Sequence, residues 1–204
     1  MLEVHELAAQ RGRARLFEGL SFRVDAGTAL VVTGANGTGK TTLLRMLAGL
    51  SAPAHGEIRW MGRACAPFDA ELRASLAFAG HAPALKDELT AEENLAVLMA
   101  LAGESVTSHA FEGALTAVAL GAKRLLPARV LSQGQRRRIG IARLLLLNRP
   151  LWVLDEPFTA LDAAGISMLG DIVAGHLDRG GVAIAATHAP LNLSGDRVRS
   201  LELA

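Results

Sequence analysis

The sequence predicts an α/β protein in which a parallel central sheet is joined by a small antiparallel sheet and an inserted helical subdomain. Short apolar runs at residues 30–33, 151–154 and 182–186 alternate with helical patterns along the chain, as buried strands of a parallel sheet do. Between about residues 85 and 130 the pattern is mainly helical. With 204 residues in all, we expect one domain, 1–204, with the helical subdomain inserted in the α/β core.

Composition and charge exclude several classes of protein. The formal net charge is only +1, from 21 basic and 20 acidic side chains, which argues against nucleic acid as a partner. The apolar run at 95–102 is among the longest, with 8 residues, far short of the about 18 that would cross a membrane. The N-terminus has no signal-peptide pattern, and the lone cysteine, Cys65, fits a reducing compartment. We therefore expect a cytoplasmic protein without a transmembrane segment.

The N-terminal part of the chain is predicted to form mostly strands. Residues 2–7 and 20–24 alternate apolar and polar side chains, as half-buried strands do, and 9–15 has the composition of a turn. Residues 57–60 form a further strand after the first helix. Together with the strand at 30–33, they suggest a small antiparallel sheet beside the glycine-rich segment that follows residue 33.

Capping signals mark the starts of the later helices. Thr90 and Glu93 form a capping box, in which the hydroxyl and the carboxylate each accept a hydrogen bond from a backbone N–H at the helix start. Ser132 and Asp162 are further predicted N-cap residues. The helices are expected at about 41–48, 90–101, 108–120, 132–147 and 162–177, and a further strand at 76–80.

A phosphate-binding loop is predicted at residues 34–41, which read G-x-x-x-x-G-K-T between a strand and a helix. Glycines let backbone N–H groups turn toward phosphate oxygens, and the positive end of the following helix adds to the attraction. Lys40 adds a charge near the β- and γ-phosphates, and the Thr41 hydroxyl is a ligand for Mg²⁺. An ordinary glycine-rich turn is the alternative. The residues expected to bind the nucleotide are Gly34, Ala35, Asn36, Gly37, Thr38, Gly39, Lys40, Thr41 and Thr42.

Two carboxylates, Asp155 and Glu156, follow the apolar strand at 151–154. Ligands of open α/β sheets bind at the carboxyl ends of the strands, so both carboxylates are expected at the nucleotide. Asp155 is predicted to hold Mg²⁺, directly or through water, and Glu156 to orient and polarise the attacking water. Pro157 is predicted to force Glu156 into an extended backbone conformation. An exposed acidic turn is the alternative interpretation.

The segment 131–138, LSQGQRRR, resembles the LSGGQ signature of ABC ATPases, with Gln133 in place of the first glycine. Ser132 and Gly134 lie at the start of a predicted helix, which attracts anions by itself. The resemblance implies the P-loop NTPase fold of an ABC-type nucleotide-binding domain. It also implies that Ser132 and Gly134 bind the γ-phosphate held by the other protomer, and that Gln135 belongs to the ATP-binding set. An ordinary capped helix with a solvated arginine face is the alternative.

Two more segments match the family in their order along the chain. Residues 159–162 resemble the D-loop, which links the two ATP sites across the dimer, so Asp162 is expected both to cap a helix and to serve this loop. His188 follows the last core strand and resembles the switch histidine that contacts the γ-phosphate. The resemblance therefore implies catalytic roles for Lys40, Glu156 and His188.

Three positions depart from the family pattern. His81 stands at the start of the helical subdomain, where the family usually has the glutamine that senses the γ-phosphate. A neutral imidazole can donate one hydrogen bond and accept another, as the glutamine amide can. The adenine-stacking aromatic of many members is missing, because the chain has no tyrosine and Arg11 or Arg13 occupies that distance before the loop. An arginine could stack on the base instead. Gln133 is the mildest change.

The segment 78–95 resembles a narrower family, the ATP-binding subunits of cytochrome c maturation, also called haem exporter ATP-binding subunits (CcmA type). The resemblance implies an ATPase that uses ATP and Mg²⁺ and works as a dimer of nucleotide-binding domains. It implies binding to an integral-membrane transporter subunit at the cytoplasmic face of the inner membrane, in the haem handling of cytochrome c biogenesis. Three alternatives are an ATPase subunit for another small substrate, a soluble ABC ATPase of repair or translation, and a P-loop kinase.

Overall fold

The computed structural model describes residues 1–12, 14–191, 193 and 195–204 of the chain. The chain divides into two compact units. The first, which we call the sheet unit, consists of Met1–Phe78, Arg149–Pro157 and Val173–Ala204. The second, which we call the helical unit, consists of Ala79–Asn148 and Phe158–Ile172.

The described residues form nine strands and six α-helices. The strands are Leu2–Arg11 (β1), Ala14–Val24 (β2), Ala29–Gly34 (β3), His55–Trp60 (β4), Arg63–Ala64 (β5), Leu76–Ala79 (β6), Leu151–Asp155 (β7), Val182–Ala186 (β8) and Val198–Leu203 (β9). The α-helices are Lys40–Leu47 (α1), Ala70–Ser75 (α2), Ala91–Leu101 (α3), Ser108–Ala117 (α4), Gln133–Leu147 (α5) and Ala163–Asp178 (α6).

The main sheet of the sheet unit has the strand order β6-β7-β8-β3-β9. β3 pairs in parallel with β8 and β9, and β7 pairs in parallel with β8. Every residue of β7 and β8 is buried, and α1 packs against both strands. The predicted α/β fold with a parallel sheet is therefore confirmed, and β9 is a strand that the sequence pattern did not reveal.

The antiparallel sheet has the order β2-β1-β4-β5. The prediction that residues 30–33 belong to this sheet is wrong, because that buried apolar strand is β3, which pairs inside the parallel sheet. The predicted turn at 9–15 is also wrong for most of its length, since β1 continues to Arg11 and β2 begins at Ala14. Cross-strand pairing of these polar residues outweighs their turn-like composition.

The helical unit is built from α3, α4 and α5, which pack against one another. The predicted capping box is confirmed, since the Thr90 hydroxyl accepts from the Glu93 N–H at 3.1 Å and the Glu93 carboxylate accepts from the Thr90 N–H at 2.8 Å. α4 ends at Ala117, before the predicted Leu120, because Ala119 has a φ of 57° that no right-handed helix allows. Across the described residues, no helix combines the length and apolar character needed to span a bilayer.

Trp152 and His176 form a buried aromatic pair in the sheet unit. Their rings stack with centroids 3.9 Å apart and planes 7° from parallel, and both side chains are almost fully buried. The His176 Nε2 atom lies 3.2 Å from the Val182 carbonyl oxygen. Gly181 leaves room for the imidazole, since a Cβ there would lie 2.2 Å from the ring. Burial is the largest cause of the lowered pKa of His176.

We expect acid to destabilise the fold through His176. The unfolded chain takes up a proton near the ordinary histidine pKa of about 6.5, whereas the folded chain takes it up only at lower pH. This group therefore leaves the free energy of unfolding unchanged at neutral pH. It reduces that free energy as the pH falls below about 6.5, by at most about 1.4 kcal/mol for each pH unit. Thermal unfolding should show that stability decreases less between about pH 7.5 and about pH 5.5 in His176→Phe than in the natural protein.

The exposed His109 on α4 provides the control for this experiment. His109→Phe should keep the acid sensitivity of the natural protein, because it leaves the buried imidazole in place. An equal decrease in stability at low pH in His176→Phe and in the natural protein would show that His176 is not the cause of the acid sensitivity.

Candidate nucleotide site

The phosphate loop of the sheet unit joins β3 to α1. Lys40 is the first residue of α1 and is almost fully buried. Its Nζ donates to the carbonyl oxygens of Gly34 at 2.7 Å and of Ala35 at 3.0 Å, so the ammonium group lies within the curve of the loop. The first N–H groups of a helix have no acceptor within the helix. The loop therefore combines a positive side chain with backbone donors, as an anion site requires.

Close approaches explain two glycines of the loop. Gly34 has φ 135°, and a Cβ there would lie 2.3 Å from the Leu203 carbonyl oxygen of β9. Gly39 has φ 102°, and a Cβ there would lie 3.2 Å from the Leu16 Cβ and from two atoms of the Phe17 ring. A side chain at Gly34 would therefore displace the loop from β9, and at Gly39 the positive φ disfavours every other residue type.

The Phe17 ring is an aromatic group beside the loop that sequence analysis missed. Its proximity to Gly39 depends on the pairing of β2 in the antiparallel sheet, which local sequence does not reveal. Of the two arginines considered for the adenine position, Arg11 is exposed at the end of β1. Arg13 lies outside the described residues.

Thr41 and Asp155 provide oxygen atoms close to one another. The Thr41 hydroxyl donates to Asp155 Oδ2 at 3.1 Å and lies 3.3 Å from Oδ1. Asp155 is buried at the end of β7, and Thr41 is the second residue of α1. A hydroxyl and a carboxylate beside a phosphate loop are the hard oxygen ligands that Mg²⁺ takes. The residues present therefore fit a Mg²⁺ ion.

Three neighbouring strands end side by side at this site. Asp155 of β7 is level with Ala186 of β8, and Ala186 is level with Val32 of β3. Beyond that row, the Glu156 N–H donates to the Ala186 carbonyl oxygen at 2.9 Å. Because the strands are parallel, the segments that follow them, with Glu156, His188 and the phosphate loop, leave the sheet at one edge.

His188 is exposed in the turn after β8. The buried Thr187 anchors this turn, because its N–H donates to the Val32 carbonyl oxygen at 3.3 Å and its hydroxyl accepts from the Ala189 N–H at 3.0 Å. The backbone on both sides of His188 is therefore tied to Thr187 and β3, while the imidazole is open to solvent.

The backbone of Glu156 has φ 49°, in the left-handed region. The predicted extended conformation is therefore wrong. Pro157 disfavours the right-handed helical conformation at the residue before it, and the chain turns away from the sheet here, which leaves the left-handed conformation. For a residue other than glycine this costs about 1–2 kcal/mol. Strained backbone of this kind concentrates at functional sites.

The helical unit carries the signature-like segment at the start of α5. The Ser132 hydroxyl accepts from the Gln135 N–H at 3.2 Å, and the Gln135 side-chain carbonyl accepts from the Ser132 N–H at 3.1 Å. The predicted N-cap is confirmed, and Gln135 extends it to a capping box. A Cβ on Gly134 would lie 2.6 Å from the Ala160 carbonyl oxygen. Gly134 therefore lets the segment around Ala160 lie directly against α5.

Asp162 joins α6 to α5. Its Oδ1 accepts from the Gly165 N–H at 3.0 Å and from Arg138 Nη2 at 2.7 Å. The first bond confirms the predicted N-cap of α6. The same two donors, the Gly165 N–H more than the guanidinium, lower the pKa of Asp162. The carboxylate is therefore ionised at neutral pH and pairs with Arg138.

His81 is exposed in the segment between β6 and α3. Arg137 of α5 holds the backbone of this segment from within the helical unit, and only 6% of the Arg137 side chain is exposed. The interpretation of the arginine run as a solvated face is therefore wrong for Arg137. The sequence does not indicate this role, since an arginine between two others shows no periodicity that would predict its burial.

Comparisons with known proteins identify the family to which this chain belongs. The model of the ABC transporter family matches residues 17–159, well over half of the chain. Over 203 residues the chain is 46% identical to the cytochrome c biogenesis ATP-binding export protein CcmA of Dechloromonas aromatica, and 100% of both chains is covered.

Solved structures of ATP-binding proteins share the fold of this chain. An ABC transporter ATP-binding protein from Pyrococcus furiosus matches with a TM-score of 0.83 and 26% identity, over 99% of this chain and 96% of that one. A dimeric ATP-binding cassette in a post-hydrolysis state, bound to ADP and Pi, matches with a TM-score of 0.80 and 23% identity, over 100% and 96%. The chain therefore belongs to the ABC transporter family, and within it to the cytochrome c biogenesis ATP-binding export proteins.

Proposed function

We propose that this chain hydrolyses ATP to drive a membrane transporter complex that handles haem in cytochrome c biogenesis. The observation that carries this proposal is the likeness along the whole chain to a cytochrome c biogenesis ATP-binding export protein. We infer that residues 1–204 act as one ABC ATPase domain, with a helical subdomain at about 85–130 inserted in the α/β core.

In the proposed mechanism the phosphate loop binds the β- and γ-phosphates of ATP through its N–H groups and Lys40. Thr41 and Asp155 would hold Mg²⁺, which supplies positive charge at the phosphates. Glu156 orients the attacking water and accepts its proton. His188 contacts the γ-phosphate from the turn after β8. The shared edge of β7, β8 and β3 supports this division of roles.

A second copy of the chain is proposed to complete each ATP site. Ser132 and Gly134 lie at the N-terminus of α5, whose N–H groups and dipole suit a γ-phosphate presented by the partner. Gln135 steadies this helix start, Asp162 links the two sites, and His81 senses the γ-phosphate. ATP then closes the dimer and hydrolysis reopens it. The solved dimeric cassette of the same fold, bound to ADP and Pi, supports this arrangement.

An integral-membrane partner is proposed to dock on exposed apolar side chains. The helical unit leaves Leu101, Leu125 and Val130 exposed to 81%, 64% and 59%, and we expect a membrane partner to cover apolar side chains of this kind. Docking would place the chain on the cytoplasmic face of the inner membrane without a membrane segment of its own.

Restoration of c-type cytochromes in cells that lack their own counterpart of this chain tests the proposed function. The natural chain should restore covalently bound haem in c-type cytochromes and co-purify with a membrane partner. Lys40→Ala should restore none, because a phosphate loop without its ammonium group binds nucleotide poorly. Arg45→Ala, an exposed basic residue of the same helix, should act like the natural chain. ATP hydrolysis in vitro without restored cytochromes would instead indicate another transported substrate.

A further inference from the structure

Arg137 holds the backbone of the His81 segment through one nitrogen atom. Its Nη1 donates to the Gly80 carbonyl oxygen at 2.8 Å and to the His81 carbonyl oxygen at 2.7 Å. The guanidinium is almost fully buried, so these charge-assisted hydrogen bonds act with little competition from water.

The two accepting carbonyls belong to the peptide groups on either side of the His81 Cα. Peptide groups are planar, so the orientation of these two groups determines both φ and ψ of His81. The exposed imidazole therefore leaves the backbone in a direction set by Arg137. We propose that Arg137 is a positioning residue, which fixes the direction in which the His81 imidazole leaves the backbone. This inference rests on the proposed role of His81 as γ-phosphate sensor.

Further anchors hold the chain beyond His81. The buried Asn94 of α3 accepts from the Lys86 N–H at 2.7 Å and donates to the Lys86 carbonyl oxygen at 3.0 Å. Arg136, next to Arg137 on α5, pairs with Asp87. Hydrogen bonds thus hold the chain at residues 80–81 and again at 86–87, which limits the positions that the His81 imidazole can reach.

The same turn of α5 also holds Asp162. Arg138 Nη2 donates to Asp162 Oδ1 at 2.7 Å, so consecutive arginines of α5 tie different segments to the helix that begins at Ser132. Any shift of α5 would therefore be carried through Arg137 to the backbone of His81. The coupling path is a set of direct hydrogen bonds within the helical unit.

Two substitutions test the proposal. Arg137→Met removes the donors and keeps much of the apolar stem, whereas Arg137→Lys keeps a charge and donors. Arg137→Met should lower kcat about tenfold and leave the ATP Kd within about twofold, because the phosphate loop belongs to the sheet unit. Hydrogen exchange in the segment 81–85, measured at the Leu85 amide that donates to the Pro83 carbonyl oxygen at 3.0 Å, should quicken about tenfold, with α1 unchanged. Arg137→Lys should recover most of both properties.

Arg124→Met is the matched control, because Arg124 pairs with Glu92 at 2.6 Å in the same unit, apart from the His81 segment. It should leave kcat and exchange at 81–85 unchanged. The decisive measurement repeats Arg137→Met in a His81→Ala background, where it should lower kcat less than about twofold further. A full tenfold loss in that background, or unchanged exchange at 81–85 in Arg137→Met, would overturn the proposal.

The same set of proteins separates failure of the inference from failure of the proposed function. Natural kcat in the His81→Ala protein would reject His81 as a γ-phosphate sensor, and the positioning role in the ATPase reaction with it. The exchange data would then report only whether Arg137 holds the segment. A loss of kcat in His81→Ala, without any effect of Arg137→Met, would reject the positioning role alone.

Discussion

Replacing Glu156 with glutamine is expected to slow ATP hydrolysis at least about a hundredfold and to leave ATP affinity within about twofold of the natural value. Glutamine has nearly the size of glutamate but lacks the carboxylate that would accept a proton from the attacking water. The backbone N–H of residue 156, which donates to the Ala186 carbonyl oxygen at 2.9 Å, is retained in the variant. ATP should then persist in the site and hold two copies of the chain together.

Single-turnover hydrolysis, equilibrium binding of ATP and light scattering measure the three parts of this expectation. Glu71→Gln is a suitable control, because Glu71 is a carboxylate of α2 with 76% of its side chain exposed. It should hydrolyse ATP at the natural rate. Near-natural hydrolysis by Glu156→Gln would rule out Glu156 as the essential group, whatever its effect on dimer formation.

Local sequence patterns were sufficient for the parts of the site that local structure builds. The phosphate loop follows from its glycine spacing between β3 and α1. The starts of α3, α5 and α6 follow from Thr90, Ser132 and Asp162, whose side chains bond N–H groups within three residues. Such contacts depend only on neighbours in the chain, so spacing alone predicts them.

Contacts between residues far apart in the chain could not be predicted from local sequence patterns. β9 pairs with β3, with Leu203 opposite Gly34, and no periodicity in the last residues indicates that partner. The burial of Arg137 and the nearness of Phe17 to Gly39 likewise arise from packing between separate elements. Glu156 was predicted to be extended but has a left-handed backbone. The preference of residues before proline does not include the turn that the chain makes at the end of β7.

Mixing two inactive variants is expected to restore ATP hydrolysis if Ser132 acts across a dimer. Lys40→Ala disables the phosphate loop, and Ser132→Arg places a bulky cation at the N-terminus of α5, where positive charge is unfavourable. Each variant alone should lose nearly all activity, because both sites of its homodimer carry the defect. A mixed dimer concentrates both defects in one site and leaves the other intact. Random pairing of equal amounts should therefore recover about a quarter of the natural rate.

Thr90→Arg shows whether the inserted arginine acts through the nucleotide site or through the fold. Thr90 caps α3 with the same kind of capping box that Ser132 forms on α5, so both substitutions forfeit a cap worth about 1 kcal/mol. Thr90→Arg should remain active alone, because α3 has no proposed contact with ATP. Native mass spectrometry identifies the mixed dimers. Mixed dimers of Lys40→Ala and Ser132→Arg that stay inactive would mean that each chain builds its ATP site from its own residues.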